Sequence, residues 1–160
     1  MLISAADHAE PVPLMLGFAA VRFTILGQPY SKANGRRLVT RGTRMASVKS
    51  KNALGYEADA LRQIPPHARQ RMTGPLSVTI TIYYASERPD LDESLILDVL
   101  QDRWAPEIRD KATGAVMRAR TLVQAGVYRN DRQVRERHVY HGIDRKNPRA
   151  EITVLPLEES

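Results

Sequence analysis

Cysteine is absent from this 160-residue chain, so there is no disulfide framework, no thiolate zinc site and no Cys nucleophile. Any metal must be held by oxygen or imidazole. Aromatic residues are only 6% of the sequence, with one Trp and two Phe, which argues against an extended stacking platform for single-stranded nucleic acid. No apolar run approaches the ~20 residues needed to span a bilayer. The longest candidate, Pro11 to Val21, has no basic residue before it to act as a signal-peptide n-region. A soluble, intracellular, membrane-free protein is expected, and the length suits one domain with a folded core rather than a multidomain machine.

Basic charge is plentiful and unevenly placed. The formal net charge is +6, and residues 32 to 71 alone carry ten basic against two acidic residues. The remainder is close to neutral and holds most of the carboxylates. A solvated cationic face accounts for such a bias in many proteins, but the asymmetry favours a polyanionic partner. Lys32, Arg36, Arg37, Lys49 and Lys51, with Asn34 among them, are the candidate nucleic-acid contacts.

Hydrophobic periodicity gives the order of the elements. Residues 1–19 mix small residues with Pro11 and Pro13 and show no sustained period, which predicts a frayed or loosely docked extension ahead of a domain spanning 20–157. Val21 to Ile25 alternates as a strand does, and Gly27, Pro29, Asn34 and Gly35 then predict a loop. Apolar spacing between Ser47 and Ile64 predicts a helix closed by Pro65-Pro66. The clearest strand is Leu76 to Tyr84, whose even-numbered positions are all apolar or aromatic. Pro89 stops it, and Leu95, Ile96, Val99 and Leu100 form the apolar arc of a helix over 94–101. Residues 102–122 look like an insertion with a short helix; strands follow at 133–140 and 152–155. The expected fold is α+β: a mixed, largely antiparallel sheet with helices on one face.

Three aspartates stand at turns beside these elements. Asp90 and Asp92 lie where a half-buried strand gives way to a helix, and Asp131 precedes a later strand. If the turns converge, the carboxylates repel one another unless a hard divalent cation neutralises them, and oxygen ligation suits Mg²⁺ or Mn²⁺. Structural roles compete with this reading. Asp90 and Glu93 have the spacing of a helix capping box, and Asn130-Asp131 is ordinary turn chemistry. Asp144-Arg145-Lys146 after Pro89-Asp90 matches another nuclease pattern only through common residues. His138 and His141, three apart on one strand, point to opposite faces and make a poor metal pair. Tyr83, Tyr84 and Tyr128 could stack on bases, although packing against the sheet is the commoner role.

The larger pattern carries a resemblance. Pro89-Asp90-Leu91-Asp92-Glu93-Ser94 at the start of an amphipathic helix, Gly126-Val127-Tyr128-Arg129-Asn130-Asp131-Arg132-Gln133-Val134 entering a strand, and Phe23 to Asn34 upstream together resemble the RusA family of Holliday-junction resolvases. The resemblance covers about residues 21–156 and leaves the N-terminal tail and 102–122 without counterparts. It implies a RusA-like fold and a homodimeric, Mg²⁺-dependent endonuclease that cuts four-way DNA junctions. It also implies Asp90, Asp92 and Asp131 as catalytic and metal-binding residues, and a home with the cytoplasmic DNA of a bacterium, prophage or phage. Symmetric dimers suit such a substrate because two opposed cuts need two identical sites.

The chain departs from the family pattern at three places: Glu93 stands where Asn is usual, Asn130 where Asp is common, and Ile96 where a lysine follows the second aspartate by one helical turn. Lys49, Lys51, Lys111 and Lys146 are the candidates to replace that lysine in space. The alternative expectation is a branched- or duplex-DNA binding protein with impaired catalysis.

Overall fold

A computed structural model describes residues 17–31 and 36–158. Lys32 and Asn34 therefore lie outside the described residues, as do the first sixteen residues of the expected extension. Phe18 packs against the core, and the Ala19 amide donates to Gln70 Oε1 at 3.2 Å, so the segment leading into the first strand is docked.

Four strands form the principal sheet: β1 (Val21–Leu26), β4 (Leu76–Tyr84), β9 (Val134–Ile143) and β10 (Arg149–Pro156), in the order β1-β10-β4-β9. β10 pairs antiparallel with β1 and with β4, and β4 pairs parallel with β9. The sheet is mixed and largely antiparallel, as the patterning predicts. Alternation decides its faces. Val21, Phe23 and Ile25 of β1, Val78, Ile80 and Ile82 of β4, and Ala150, Ile152 and Val154 of β10 share one buried cluster. That cluster also holds Tyr56 and Ala60 of α1 (Lys51–Gln63) and Leu95, Ile96, Val99 and Leu100 of α2 (Ser94–Leu100). Burial of each large aliphatic side chain there contributes roughly 1.5–3 kcal/mol. Arg22, Thr24, Thr79, Thr81 and Thr153 line a shallow groove on the opposite, polar face.

Three expectations are corrected. The helix predicted from Ser47 begins later, because Ser50 is its cap: the Ser50 hydroxyl accepts from the Ala53 amide at 3.2 Å. Ser47, Val48 and Lys49 instead belong to β3 (Arg44–Lys49), which pairs with β2 (Arg36–Arg41) in a hairpin where a loop was expected. A two-residue turn, Gly42-Thr43, joins them, with Gly42 at φ 63° as such hairpins require.

The insertion after α2 is also a ribbon and contains no helix. Its outgoing side is β5 (Arg103–Ala105) and β6 (Ile108–Arg109); its return is β7 (Val116–Arg118) and β8 (Thr121–Gln124). β5 pairs with β8 and β6 with β7, both antiparallel. Among the described residues no helix is long and apolar enough to cross a membrane.

Candidate functional site

The corner between β4 and α2 is organised by one tyrosine. The buried Tyr84 hydroxyl donates to the Asp90 carbonyl at 3.1 Å and accepts the Asp92 amide at 3.2 Å. Both ends of the Asp90-Leu91-Asp92 turn are thus fixed to the end of the strand. The Ser94 amide, at the start of α2, donates to Asp92 Oδ1 at 2.9 Å and turns that carboxylate toward the helix. The Asp90–Glu93 capping box does not form: Glu93 occupies the cap position without a side-chain bond to the helix, and pairs with Arg137 of β9 at 3.2 Å. Burial holds the Tyr84 phenol above its ordinary pKa; the Asp92 amide bond opposes this, while Asp92, Glu93 and Asp90 reinforce it.

Asp131 is held by a separate set of bonds. It opens a single 3-10 turn, Asp131–Gln133, capped by Asn130, whose side chain accepts the Arg132 amide at 2.9 Å. Gln133 Oε1 accepts the Arg129 and Asn130 amides, and Gln133 Nε2 donates to the carbonyls of Met72 and Gly74. The capping box proposed for Asp90 and Glu93 is therefore found at Asn130 and Gln133. The Asp131 amide donates to Gln101 Oε1 at 3.3 Å, just past the last turn of α2. Beneath it, Tyr128 is fully buried and its hydroxyl donates to the Leu97 carbonyl at 2.8 Å. Burial raises the pKa of this phenol, and Asp131 and Asp98 add to the rise.

The three aspartates are thus arranged along one helix. Asp90 and Asp92 sit before its first turn, the Asp131 amide is tied to Gln101 at its C-terminal cap, and the seven helical residues span about 10 Å. Among the described residues, no three His, Asp or Glu side chains lie close enough together to hold a metal ion. The Asp90–Asp92 pair has the right donor chemistry for Mg²⁺, which is commonly held by one or two carboxylates together with substrate phosphates and water.

Sequence reasoning missed Asp98. It is the charged residue of α2, whose other positions after Ser94 are all apolar, and that contrast was the available signal. Asp98 and Lys49 line the same two clefts. Tyr30, Ser31, Arg36, Ala53 and Leu95 complete the smaller, of about 80 Å³. Glu57, Gln101, Arg103 and Trp104 line the larger, of about 340 Å³. Of the four lysines considered for the place of Ile96, Lys49 faces α2 in this way. Ile96 itself is fully buried, so a lysine there would put its ammonium into the core.

Lys49 is also tied to α1. Glu57, buried on that helix, accepts from Lys49 Nζ and from Arg103 Nη1, each at 2.6 Å. Burial alone would raise the Glu57 pKa, but the two cationic hydrogen bonds outweigh it and hold the carboxyl below its ordinary value. Arg36 and Arg37 are exposed on β2, with Arg36 Nη1 donating to the Ser47 carbonyl at 3.5 Å, and Lys51 is exposed at the first position of α1.

The remaining candidates take structural roles. Asp144 accepts from the Lys146 and Asn147 amides and from Arg149, which places it in a turn. His138 pairs in register with Thr79 and His141 with Ile82, on opposite sheet faces, and His141 lies against the Tyr84 ring at 5.3 Å. Tyr84 and Tyr128 are buried, and the Arg149 guanidinium lies 4.0 Å from the centre of the Tyr83 ring. Tyr84 and Tyr128 therefore pack within the protein, and the half-buried Tyr83 ring is partnered by Arg149. No family model matches the chain, and no curated protein matches it significantly.

Proposed function

We propose that this protein is a divalent-metal-dependent DNA endonuclease of the RusA resolvase type, acting on four-way junctions as a homodimer. The observation that supports the reading is the Tyr84 corner, where the end of β4 fixes the backbone of the Asp90–Asp92 turn ahead of α2. Asp131, at the far end of the same helix, is the third carboxylate of the proposed site. Uncompensated carboxylates repel one another, so a cation together with a DNA phosphate is what would draw these groups together.

Mg²⁺ or Mn²⁺ would supply Lewis-acid activation of the scissile phosphate and of the attacking water. The chain's own residues set the geometry. Tyr84 fixes the backbone of the acidic turn, and the Ser94 amide orients Asp92. Gln101 and the Asn130–Gln133 cap fix the backbone at Asp131. Arg36, Arg37, Lys49 and Lys51 provide positive charge for backbone phosphates.

The experiment is incubation of the full chain with a synthetic four-way junction and Mg²⁺. Paired symmetric nicks, lost in Asp92→Asn, are expected. Nicking that Asp92→Asn leaves unchanged would remove Asp92 from the mechanism.

A second reading is favoured by the buried Ile96 in the lysine position: a branched- or duplex-DNA binding protein with impaired catalysis. It predicts salt-sensitive retention of the junction with no Mg²⁺-dependent product.

A further inference from the structure

The ribbon at 103–124, built largely from the 102–122 segment that has no counterpart in the resolvase pattern, is an arm with no core of its own. Residues 111–120 are exposed without exception, and β6 and β7 pair with each other alone. Its tip is nonetheless tightly built. The Asp110 amide donates to the Ala115 carbonyl at 2.8 Å, Asp110 Oδ1 accepts the Ala112 and Thr113 amides, and Gly114 turns the chain at φ 70°. With each side running from residue 103 to the tip at ~3.3 Å per residue, the arm reaches up to about 26 Å.

Charge on this arm is biased as it is on the β2–β3 hairpin. Residues 103–124 hold five basic and two acidic residues, and residues 36–49 hold five basic and none acidic. Arg120 is already ordered: its guanidinium lies 4.4 Å from the centre of the Trp104 ring, so less side-chain freedom is lost if it binds a phosphate. The two hairpins share a root, because Lys49 ends β3, Arg103 begins β5, and both close on Glu57.

We propose that the β5–β8 arm is a second DNA-binding ribbon, and that it and the β2–β3 hairpin form two prongs of a clamp on duplex DNA, set at a common root by Glu57. A two-stranded ribbon fits a DNA major groove of roughly 12 Å width, and Arg118, Arg120 and Lys111 give this one the charge to meet phosphates along it. The inference rests on the nucleic-acid reading above and extends it to a segment outside the resolvase pattern.

The test is binding of the full chain to a labelled linear duplex, read by fluorescence anisotropy across a salt series. Removing two phosphate contacts lowers the slope of log K against log salt by about 2. Arg118→Ser with Arg120→Ser should show that drop and at least tenfold weaker binding near 0.1 M salt. Arg62→Ser with Arg145→Ser, an equal loss of charge away from both hairpins, should leave the slope unchanged. An unchanged slope in the arm variant while the parent binds tightly overturns the clamp and spares the DNA reading. Equal effects in the arm variant and the control reduce the arm to net charge and also overturn the clamp. A parent that retains no duplex or junction defeats both. Exposed Met117 and Val123 make a second copy of the chain the competing occupant. Dimers abolished by Met117→Asp, with duplex binding intact, would assign the arm to self-association and overturn the clamp.

Discussion

Lys49 and Arg103, 54 positions apart in sequence, end on the same carboxylate: each lies 2.6 Å from an oxygen of Glu57. One closes the first hairpin and the other opens the second. Removing the charge of Glu57 should therefore loosen two distant segments at once. Glu57→Gln is expected to cost about 2 kcal/mol at neutral pH, in the range for charged hydrogen bonds, and to raise amide exchange at the roots of both hairpins. Hydrogen exchange restricted to one hairpin would show that the shared carboxylate does not couple them.

The same residue gives a pH dependence with a definite sign. The folded-state pKa of Glu57 is lowered, so its contribution to stability is complete above the unfolded value, about 4.3, and is lost as pH falls through the folded one. The stability gap between the parent and Glu57→Gln should be full at pH 7 and should narrow below about pH 4.3. Chemical denaturation at pH 7, 5 and 3 measures it.

Gly126 should tolerate no side chain. A Cβ there would lie 2.4 Å from the Gln101 carbonyl carbon and 2.5 Å from the Leu100 oxygen, both backbone atoms. Gly126 also donates its amide to Asp102 Oδ1 at 2.8 Å, while Asp102 holds Arg71. Gly126→Ala is expected to lose about 3 kcal/mol through overpacking, read as a lower denaturation midpoint. A midpoint equal to the parent's would contradict the close approach of this segment to the end of α2.

Two buried tyrosines should respond oppositely to loss of the hydroxyl. Tyr128→Phe abandons the Leu97 carbonyl and should cost about 1–2 kcal/mol. The Tyr56 hydroxyl is buried with no hydrogen-bond partner among the described residues, so Tyr56→Phe should leave stability unchanged or raise it. Equal losses in both variants would show that Tyr56 has a partner after all.

Much of the sheet was legible because burial imposes a period. Leu76, Val78, Ile80 and Ile82 announce β4, and Val21, Phe23 and Ile25 announce β1, since in each a single face meets the core. The two hairpins were not legible for the converse reason. Arg36 to Lys49 and Arg103 to Gln124 are mostly exposed on both faces, so no alternation marks them. Their turn glycines, Gly42 and Gly114, were the remaining signal. The acidic residues were legible as candidates from their places at turns. Their arrangement along α2 was not, because it depends on Gln101 and Tyr128 reaching across the chain. Asp98 was hidden by its position inside a helix read for its apolar arc.

The central claim is that Asp90, Asp92 and Asp131 serve one cation when DNA is present. Electron paramagnetic resonance of Mn²⁺, titrated into the protein with a four-way junction bound, tests it most directly. Depletion of the free-ion signal is expected in the parent, with the signal restored in both Asp92→Asn and Asp131→Asn. Undiminished Mn²⁺ uptake in Asp131→Asn would separate that residue from the acidic corner and contradict the shared site.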